Sequence, residues 1–356
     1  MQNKKTYWFI AIVVILIIIL VIAGKSGTSS KIKVGAVLPM SGFGKLYGEE
    51  TQKGFTLCKA DNTEFVIEDS QALPAVGVSA FNKIVSTNKP DAIVVMMSSV
   101  AEATLPLAKS YNGPVIATGV SSVNIAERGG DRYFRYFSRG EKESVMNAEY
   151  LLNTLKIKKL GVLYLNADYG KTYVDGVNSV YKDKGEVITE SFNTGTTDFK
   201  TNVAKLKAKN VEAIYIVGYD NDLELSIKDI KTLKYKGIIF GNSIFNNLMA
   251  KGVDKNILDG VYFSTLNFYT GERKDSFFAD YKAKYGTEAN WYAASGCDIA
   301  RQLGQVKGKD VMGYYKNLKS YEGINGKIFA NGREFEFPEG VALYKDGKFE
   351  VMQAAK

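Results

Sequence analysis

The chain has 356 residues, of which 46% are hydrophobic and 24% charged, with a formal net charge of +8; it is long enough for two or three domains with sizeable cores and too apolar to stay disordered. It contains two cysteines and no histidine, which excludes His-based triads, proton relays and the usual zinc sites, so neither hydrolase chemistry nor a metal centre is expected. Lys4, Lys5 and Lys25 supply three of the excess positive charges and the other lysines are scattered, the pattern of a solvated surface rather than a nucleic-acid-binding face.

The first element is residues 7–23 (YWFIAIVVILIIILVIA), 17 uncharged residues preceded by Lys4 and Lys5 and followed by the polar GKSGTSS. That length is at the lower limit for crossing the ~30 Å hydrocarbon core and exceeds the ~7–15 residues of a signal-peptide core. No A-x-A site closes the run and no cysteine for lipid attachment comes just after it. It is read as an uncleaved membrane anchor, with a cleaved signal peptide as the alternative; either places residues 31–356 outside.

From residue 31 onward, short β-branched runs alternate with longer amphipathic segments, which predicts strand–helix–strand units. In order these are strand KIKVGAVLP, a helix over 50–59, strand FVIED, a helix over 75–87, strand DAIVVMM, a helix over 101–111 and strand PVIAT. The pattern continues with helix 143–155, KKLGVLYL, helix 173–184, a strand at 186–191, helix 199–209, VEAIYIVG, helix 222–233, KGIIFG and GVYFST. Such units build parallel sheets with right-handed crossovers. There are more strands than one twisted sheet readily holds, and RYFRYFSRGEKES (132–144) interrupts the alternation, so two sheets are expected. That segment is read as a crossing strand, TLNFYTGERKDS (265–276) as the return crossing, and GREFEFPEGVALYKDGKFEV as antiparallel strands around an Asp-Gly turn. No internal repeat is evident. Cys58 and Cys297 lie far apart, so a disulfide is possible but not predicted.

Residues 40–50 read MSGFGKLYGEE directly after the first strand. Gly42, Gly44 and Gly48 follow the spacing G-x-G-x-x-x-G and no hydroxyl follows Lys45; neither a dinucleotide turn nor a phosphate loop is present, and no cofactor is expected. The glycines instead let the backbone bend toward a cleft, where Tyr47 either offers its ring and hydroxyl to a small ligand or packs the helix start. Ser99 and Glu102 have capping-box spacing, which would start a helix at Ser99–Val100 and leave free N–H groups for a carboxylate. Ser98, Ser99, Ser121 and Ser122 read as caps, a role that does not exclude ligand contact.

Taken in order, VGAVLPMSGFGKLYGEE, FVIEDSQALPAVGVSAFNKIV, VVMMSSVAEAT, VIATGVSS, YFRYFSR, NADYGKTYVDGV, TGTTDFKTNVAKLKAKNVEAIYIVGY and GINGKIF resemble type I periplasmic binding proteins. Within that group the resemblance, over essentially all of residues 31–356, is to the branched-chain amino-acid-binding proteins of ABC importers. It implies an α/β fold of two doubly wound parallel-sheet lobes joined by three crossings, preceded here by the N-terminal hydrophobic helix. Lobe 1 would comprise 31–138 with 265–325, and lobe 2 would comprise 139–264 with 326–356. The resemblance places Ser98, Ser121 and the backbone around Gly119 and Val120 on a ligand carboxylate, with Ser99 beside them. Tyr47 then contacts the ligand from lobe 1, Tyr169 and Tyr219 close on it from lobe 2, and Trp291 or Tyr292 either covers it or packs in the core.

One position departs from the pattern. Branched-chain binders of this family hold the α-ammonium with a glutamate just after the strand matching KGIIFG, where this chain has Ser243. A buried ammonium without a carboxylate costs several kcal/mol, so either Asp220 or Asp222 takes that role or the ligand is not an ordinary amino acid. The resemblance thus implies a non-enzymatic, monomeric, extracytoplasmic substrate-binding protein anchored by its N-terminal helix, or periplasmic if the leader is cleaved. It would deliver a small amino acid, or a related carboxylate or amide, to an ABC permease by hinge closure. The alternative is a membrane-anchored sensor of the same fold that signals through a partner protein.

Overall fold

The computed structural model describes residues 31–266 and 271–354. The hydrophobic run at 7–23 lies outside the described residues, and among these no helix is long and apolar enough to cross a membrane. Lobe 1 begins with β1 (Ile32–Leu38), α1 (Lys45–Cys58), β2 (Thr63–Asp69), α2 (Pro74–Asn88), β3 (Ala92–Met96), α3 (Ser98–Ser110), β4 (Val115–Thr118) and β5 (Tyr133–Tyr136). Its five strands are parallel, in the order β2-β1-β3-β4-β5. Lobe 2 repeats the plan with α4 (Gly140–Glu149), β6 (Lys159–Leu165), α5 (Asp168–Tyr181), β7 (Glu186–Phe192), α6 (Lys200–Ala208), β8 (Ala213–Val217), α7 (Asp220–Thr232), β9 (Ile238–Gly241) and β10 (Val261–Thr265). The parallel order is β7-β6-β8-β9-β10, strand for strand the order of lobe 1. The chain is thus a structural repeat that its sequence does not display.

Helices on both faces explain the composition of the central strands. β3 (AIVVM) and β8 (AIYIV) are buried at every residue, as parallel strands covered on two sides must be. Each lobe has its own apolar core, one built around Val94, Ile116 and Phe134 and the other around Val162, Ile216 and Phe240.

After β10 the chain returns to lobe 1 as α8 (Lys274–Tyr285) and α9 (Trp291–Gly304), and then as β11 (Ser320–Gly323), β12 (Gly326–Asn331) and β13 (Glu334–Glu336), which extend the first sheet beyond β5. β14 (Gly340–Lys345) and β15 (Lys348–Gln353) extend the second sheet beyond β10 and meet at the expected turn, Asp346-Gly347. The chain therefore passes between the sheets three times, at 137–139, after Thr265 and at 337–339.

Two expected boundaries are corrected. Tyr133–Tyr136 is not a crossing strand but a buried parallel strand registered against β4, so the crossing is only the three residues that follow it. Residues 326–336 belong to the first sheet rather than to lobe 2, which moves the third passage from 325/326 to 337–339. Arg135 holds β13 there: its buried guanidinium donates from Nε to Glu334 Oε2 at 2.5 Å.

The cysteines, left open by the sequence, are joined. α1 packs on α9 so closely that a Cβ on Gly54 would lie 2.1 Å from the Ala293 carbonyl oxygen. One helical turn further, Cys58 and Cys297 form a disulfide with Cα atoms 5.0 Å apart.

Candidate ligand-binding site

The loops after β1, β3 and β4 in lobe 1 face the loops after β6, β8 and β9 in lobe 2. These are equivalent positions in the two sheets, at the carboxyl ends of strands around the reversal of strand order, where open α/β sheets bind ligands. Between them lies a chamber of about 20 Å³, bordered by Tyr47, Ser98, Gly119 and Ser121 of lobe 1 and by Tyr169, Tyr173, Tyr219 and Ser243 of lobe 2. Its mouth is a cavity of about 400 Å³ between Phe43, Leu73 and Ser99 on one side and Asp168, Tyr169 and Tyr219 on the other. Phe43 and Leu73, both nearly half exposed, give this mouth an apolar rim.

On the lobe 1 side, the glycine-rich loop is a short 3₁₀ turn, Gly42–Gly44, leading into α1. Gly42 has φ +72° and a Cβ on Gly48 would lie 2.2 Å from the Pro39 carbonyl oxygen, so these glycines serve a sharp turn and a close approach. Asp69 at the end of β2 ties the loop down by accepting from Met40 N (2.8 Å), Ser41 N (3.2 Å) and Ser41 Oγ (2.5 Å). Against the upward push of burial, the hydrogen bonds from Ser41, Gln71 and Met40 hold its carboxyl below the usual aspartate value. Tyr47 is buried in α1, with its ring centroid 4.7 Å from that of Tyr292 and 6.1 Å from that of Tyr219.

The serine loops meet directly, because Ser121 N donates to Ser98 Oγ at 3.2 Å. The capping box expected from Ser99 and Glu102 is absent. α3 starts at Ser98, Ser99 is exposed and donates to the Ala72 carbonyl, and Glu102 pairs with Arg128 at 2.5 Å. At the head of α3, Met97 has φ +75° and ψ +131°, a strained conformation for a bulky residue that costs about 1–3 kcal/mol and is characteristic of functional turns. Arg135 Nη1 donates to the Ser122 carbonyl at 2.6 Å and so steadies the second serine loop.

On the lobe 2 side, Tyr169 in the first turn of α5 stacks on Tyr219 at 5.1 Å with the rings 12° from parallel. Tyr219 also meets Phe43 of lobe 1 at 5.4 Å. Burial first, and nearby acids second, push the phenols of Tyr47, Tyr169, Tyr173 and Tyr292 well above the usual tyrosine value; all four remain neutral hydrogen-bonding groups across the ordinary pH range.

Of the sequence-derived site residues, the chamber brings together Tyr47, Ser98, Gly119, Ser121, Tyr169, Tyr219 and Ser243. Val120 is fully buried and Ser99 lies at the mouth. Tyr292 borders the chamber, while Trp291, one residue earlier on α9, borders a neighbouring cavity beside Phe137 and Leu266. Neither aspartate considered for the amine is unpartnered. Asp220 is ion-paired with Lys251 at 2.9 Å and accepts from Asn247 at 3.0 Å; Asp222 accepts from Tyr219 N at 2.9 Å and caps α7. Burial above all, with Asp220 adding to it and the Tyr219 hydrogen bond opposing it, pushes the Asp222 carboxyl up to about 6.

Sequence reasoning missed Met97, Phe137, Tyr173, Ile244 and above all Glu143, whose carboxylate lies directly behind Ser243 and Tyr173. A glutamate in a helix's first turn is ordinarily solvent-facing, favoured there by the helix dipole. The available signal was its position in α4 straight after the first passage between lobes.

A family model described as periplasmic binding protein matches residues 31–339 of this chain. The Leu/Ile/Val-binding protein homolog 3 of Brucella melitensis is 25% identical over 254 residues, covering 67% of this chain and 68% of that protein. The fold is similar to that of the branched-chain amino acid transporter substrate binding protein LivJ of Streptococcus pneumoniae, solved in complex with isoleucine (TM-score 0.81, 23% identity, 91% of this chain and 99% of that chain). It is equally similar to that of an ABC-transporter solute binding protein from R. palustris, solved in complex with benzoate (TM-score 0.81, 18% identity, 91% and 96%).

Proposed function

This chain belongs to the periplasmic binding protein family, and from that premise we propose that it captures a small carboxylate-bearing metabolite, an amino acid first, between its two lobes. Within the family it is of the type I, branched-chain amino-acid-binding kind, and both family and fold are those of solute-binding proteins rather than enzymes. The observation that carries the proposal is the convergence of six equivalent loops on one chamber with two unlike walls. Lobe 1 contributes the start of α3 and the Ser98–Ser121 pair, whose surroundings are rich in backbone N–H donors and suit an anion. Lobe 2 contributes hydroxyls and stacked tyrosines, which suit the rest of a small, partly apolar molecule.

Closure would occur by rotation at the three passages, so that the closed form is the one an ABC permease receives. The Cys58–Cys297 disulfide supports an oxidising, extracytoplasmic location. On our reading the apolar run at 7–23 retains the protein at the membrane with Lys4 and Lys5 inside. A thermal-shift screen of residues 31–356 against amino acids, their amides and simple carboxylates tests the proposal: a ligand at 100 times its dissociation constant stabilises by ~2.7 kcal/mol. A screen in which no compound of these three classes raises the melting temperature would refute it.

A further inference from the structure

Glu143 is a buried carboxylate with no ion-pair partner among the described residues. Its side chain is 1% exposed, and the carboxylate accepts from Ser264 Oγ (2.5 Å), Tyr173 OH (2.6 Å), Ser243 N (2.8 Å) and Ser243 Oγ (3.0 Å). All four groups donate to it and none accepts, the arrangement that an ionised, acceptor-only carboxylate satisfies. Asp220, on the same side of the cleft, is by contrast matched by Lys251. A buried carboxylate held by dipoles alone has lost its hydration without gaining a counter-ion. Its field extends into the chamber, where after burial itself it is among the charges that raise the phenols of Tyr169, Tyr173 and Tyr292.

Three of the four donors belong to residues that border the chamber, Ser243 and Tyr173. Each has committed its only hydroxyl hydrogen to Glu143, so toward the chamber each offers lone pairs alone. This wall accepts hydrogen bonds, has a negative charge directly behind it and is set across from the serine loops and the start of α3. An ammonium group meets both requirements at once, since it brings three N–H donors and a positive charge. A neutral donor meets only the first.

We propose that Glu143 is the counter-charge for a protonated amine on the ligand, acting through the hydroxyls of Ser243 and Tyr173, and that it makes the site select amino acids over carboxylates that lack an amine. The inference rests on reading the chain as a binder of small carboxylates and replaces Asp220 and Asp222 in the amine role. Glu143 is thereby a positioning and specificity residue that need not touch the ligand.

The experiment is isothermal titration of the parent and of Glu143→Gln with the tightest-binding of the twenty amino acids and with the matching carboxylate that lacks the amine. The parent is expected to favour the amino acid by about tenfold or more. Glu143→Gln should lose roughly thirtyfold or more for the amino acid, the low end for removing one partner of a buried charge pair, while the amine-free carboxylate binds as before or better. A merely structural role would weaken both ligands alike, and that outcome overturns the proposal, as does amino-acid binding by Glu143→Gln within about threefold of the parent. If Glu143→Gln does not fold, Glu143→Asp keeps the charge but withdraws it from the two hydroxyls. A narrowed preference for the amino acid then supports the proposal and an unchanged one overturns it. A parent that prefers the amine-free carboxylate overturns this inference and leaves the binding function standing; a parent that binds neither class overturns both.

Discussion

Raising the pH from about 5 to about 8 should cost this protein stability at one identifiable carboxyl, that of Glu339, where the first and third passages between the lobes meet. Glu339 is 3% exposed and accepts from Ser138 Oγ, and its other oxygen, Oε2, has no donor among the described residues. Burial above all pushes it from the ordinary 4.5 up to about 7; the Ser138 hydrogen bond opposes the shift and the Glu143 charge adds to it. Because the folded-state value lies above the unfolded one, the folded protein retains a proton that the unfolded chain releases. The resulting stability is fully present below about pH 4.5 and is lost as the pH rises through about 7. A difference of about 2.5 decades at ~1.4 kcal/mol each amounts to about 3.5 kcal/mol at full effect, of which about 3 kcal/mol is expressed by pH 8.

Glu339→Gln is neutral at every pH and still accepts from Ser138. Its unfolding free energy should therefore match the parent's near pH 4.5 and exceed it by about 3 kcal/mol near pH 8. Urea unfolding followed by circular dichroism at both pH values measures this, with equal m-values confirming that the same transition is compared. Asp298, which burial pushes up to about 7, titrates in parent and variant alike and so cancels in their difference. Should the two proteins differ by the same amount at both pH values, Glu339 does not titrate in this range and the account of the hinge acid is wrong.

Three other outcomes follow from the same structure. Replacing both Cys58 and Cys297 by serine opens a cross-link that spans 239 residues of sequence; the loss should be about 2–4 kcal/mol, toward 5 if unfolded-chain entropy dominates, and a urea midpoint equal to the parent's would show that the α1–α9 packing already supplies the constraint. Ser98→Ala and Ser121→Ala should each weaken a bound carboxylate by roughly tenfold or more, through loss of a charge-assisted hydrogen bond of ~1.5–3 kcal/mol, and unchanged affinity in titration would remove those hydroxyls from the site. Saturating ligand should reduce the radius of gyration in small-angle scattering as the lobes close, whereas an unchanged value argues against hinge closure.

The alternation of strands and helices was legible because period and composition are local properties. Runs such as AIVVM and AIYIV can only be strands covered on both faces, and Asp346-Gly347 can only be a hairpin turn between polar-edged strands. Tyr47, Ser98, Ser121, Tyr169 and Tyr219 came from the family resemblance rather than from the pattern, and the fold sets them around one chamber because they follow strands of the two sheets. What the tertiary structure alone decided depends on contacts between distant segments. Residues 326–336 joined the first sheet because Glu334 finds Arg135, about 200 positions earlier, and no local pattern encodes that partner. Cys58 and Cys297 paired because two helices approach at Gly54. Trp291 and Tyr292 parted because consecutive residues on a helix point about 100° apart, so only one could face the chamber. Glu143 became the buried acid of the site because the fold brings a first-turn glutamate against Ser243, just after β9, and Ser264 in β10; burial of a charge is set by what surrounds it in space, which one helix's own sequence does not contain.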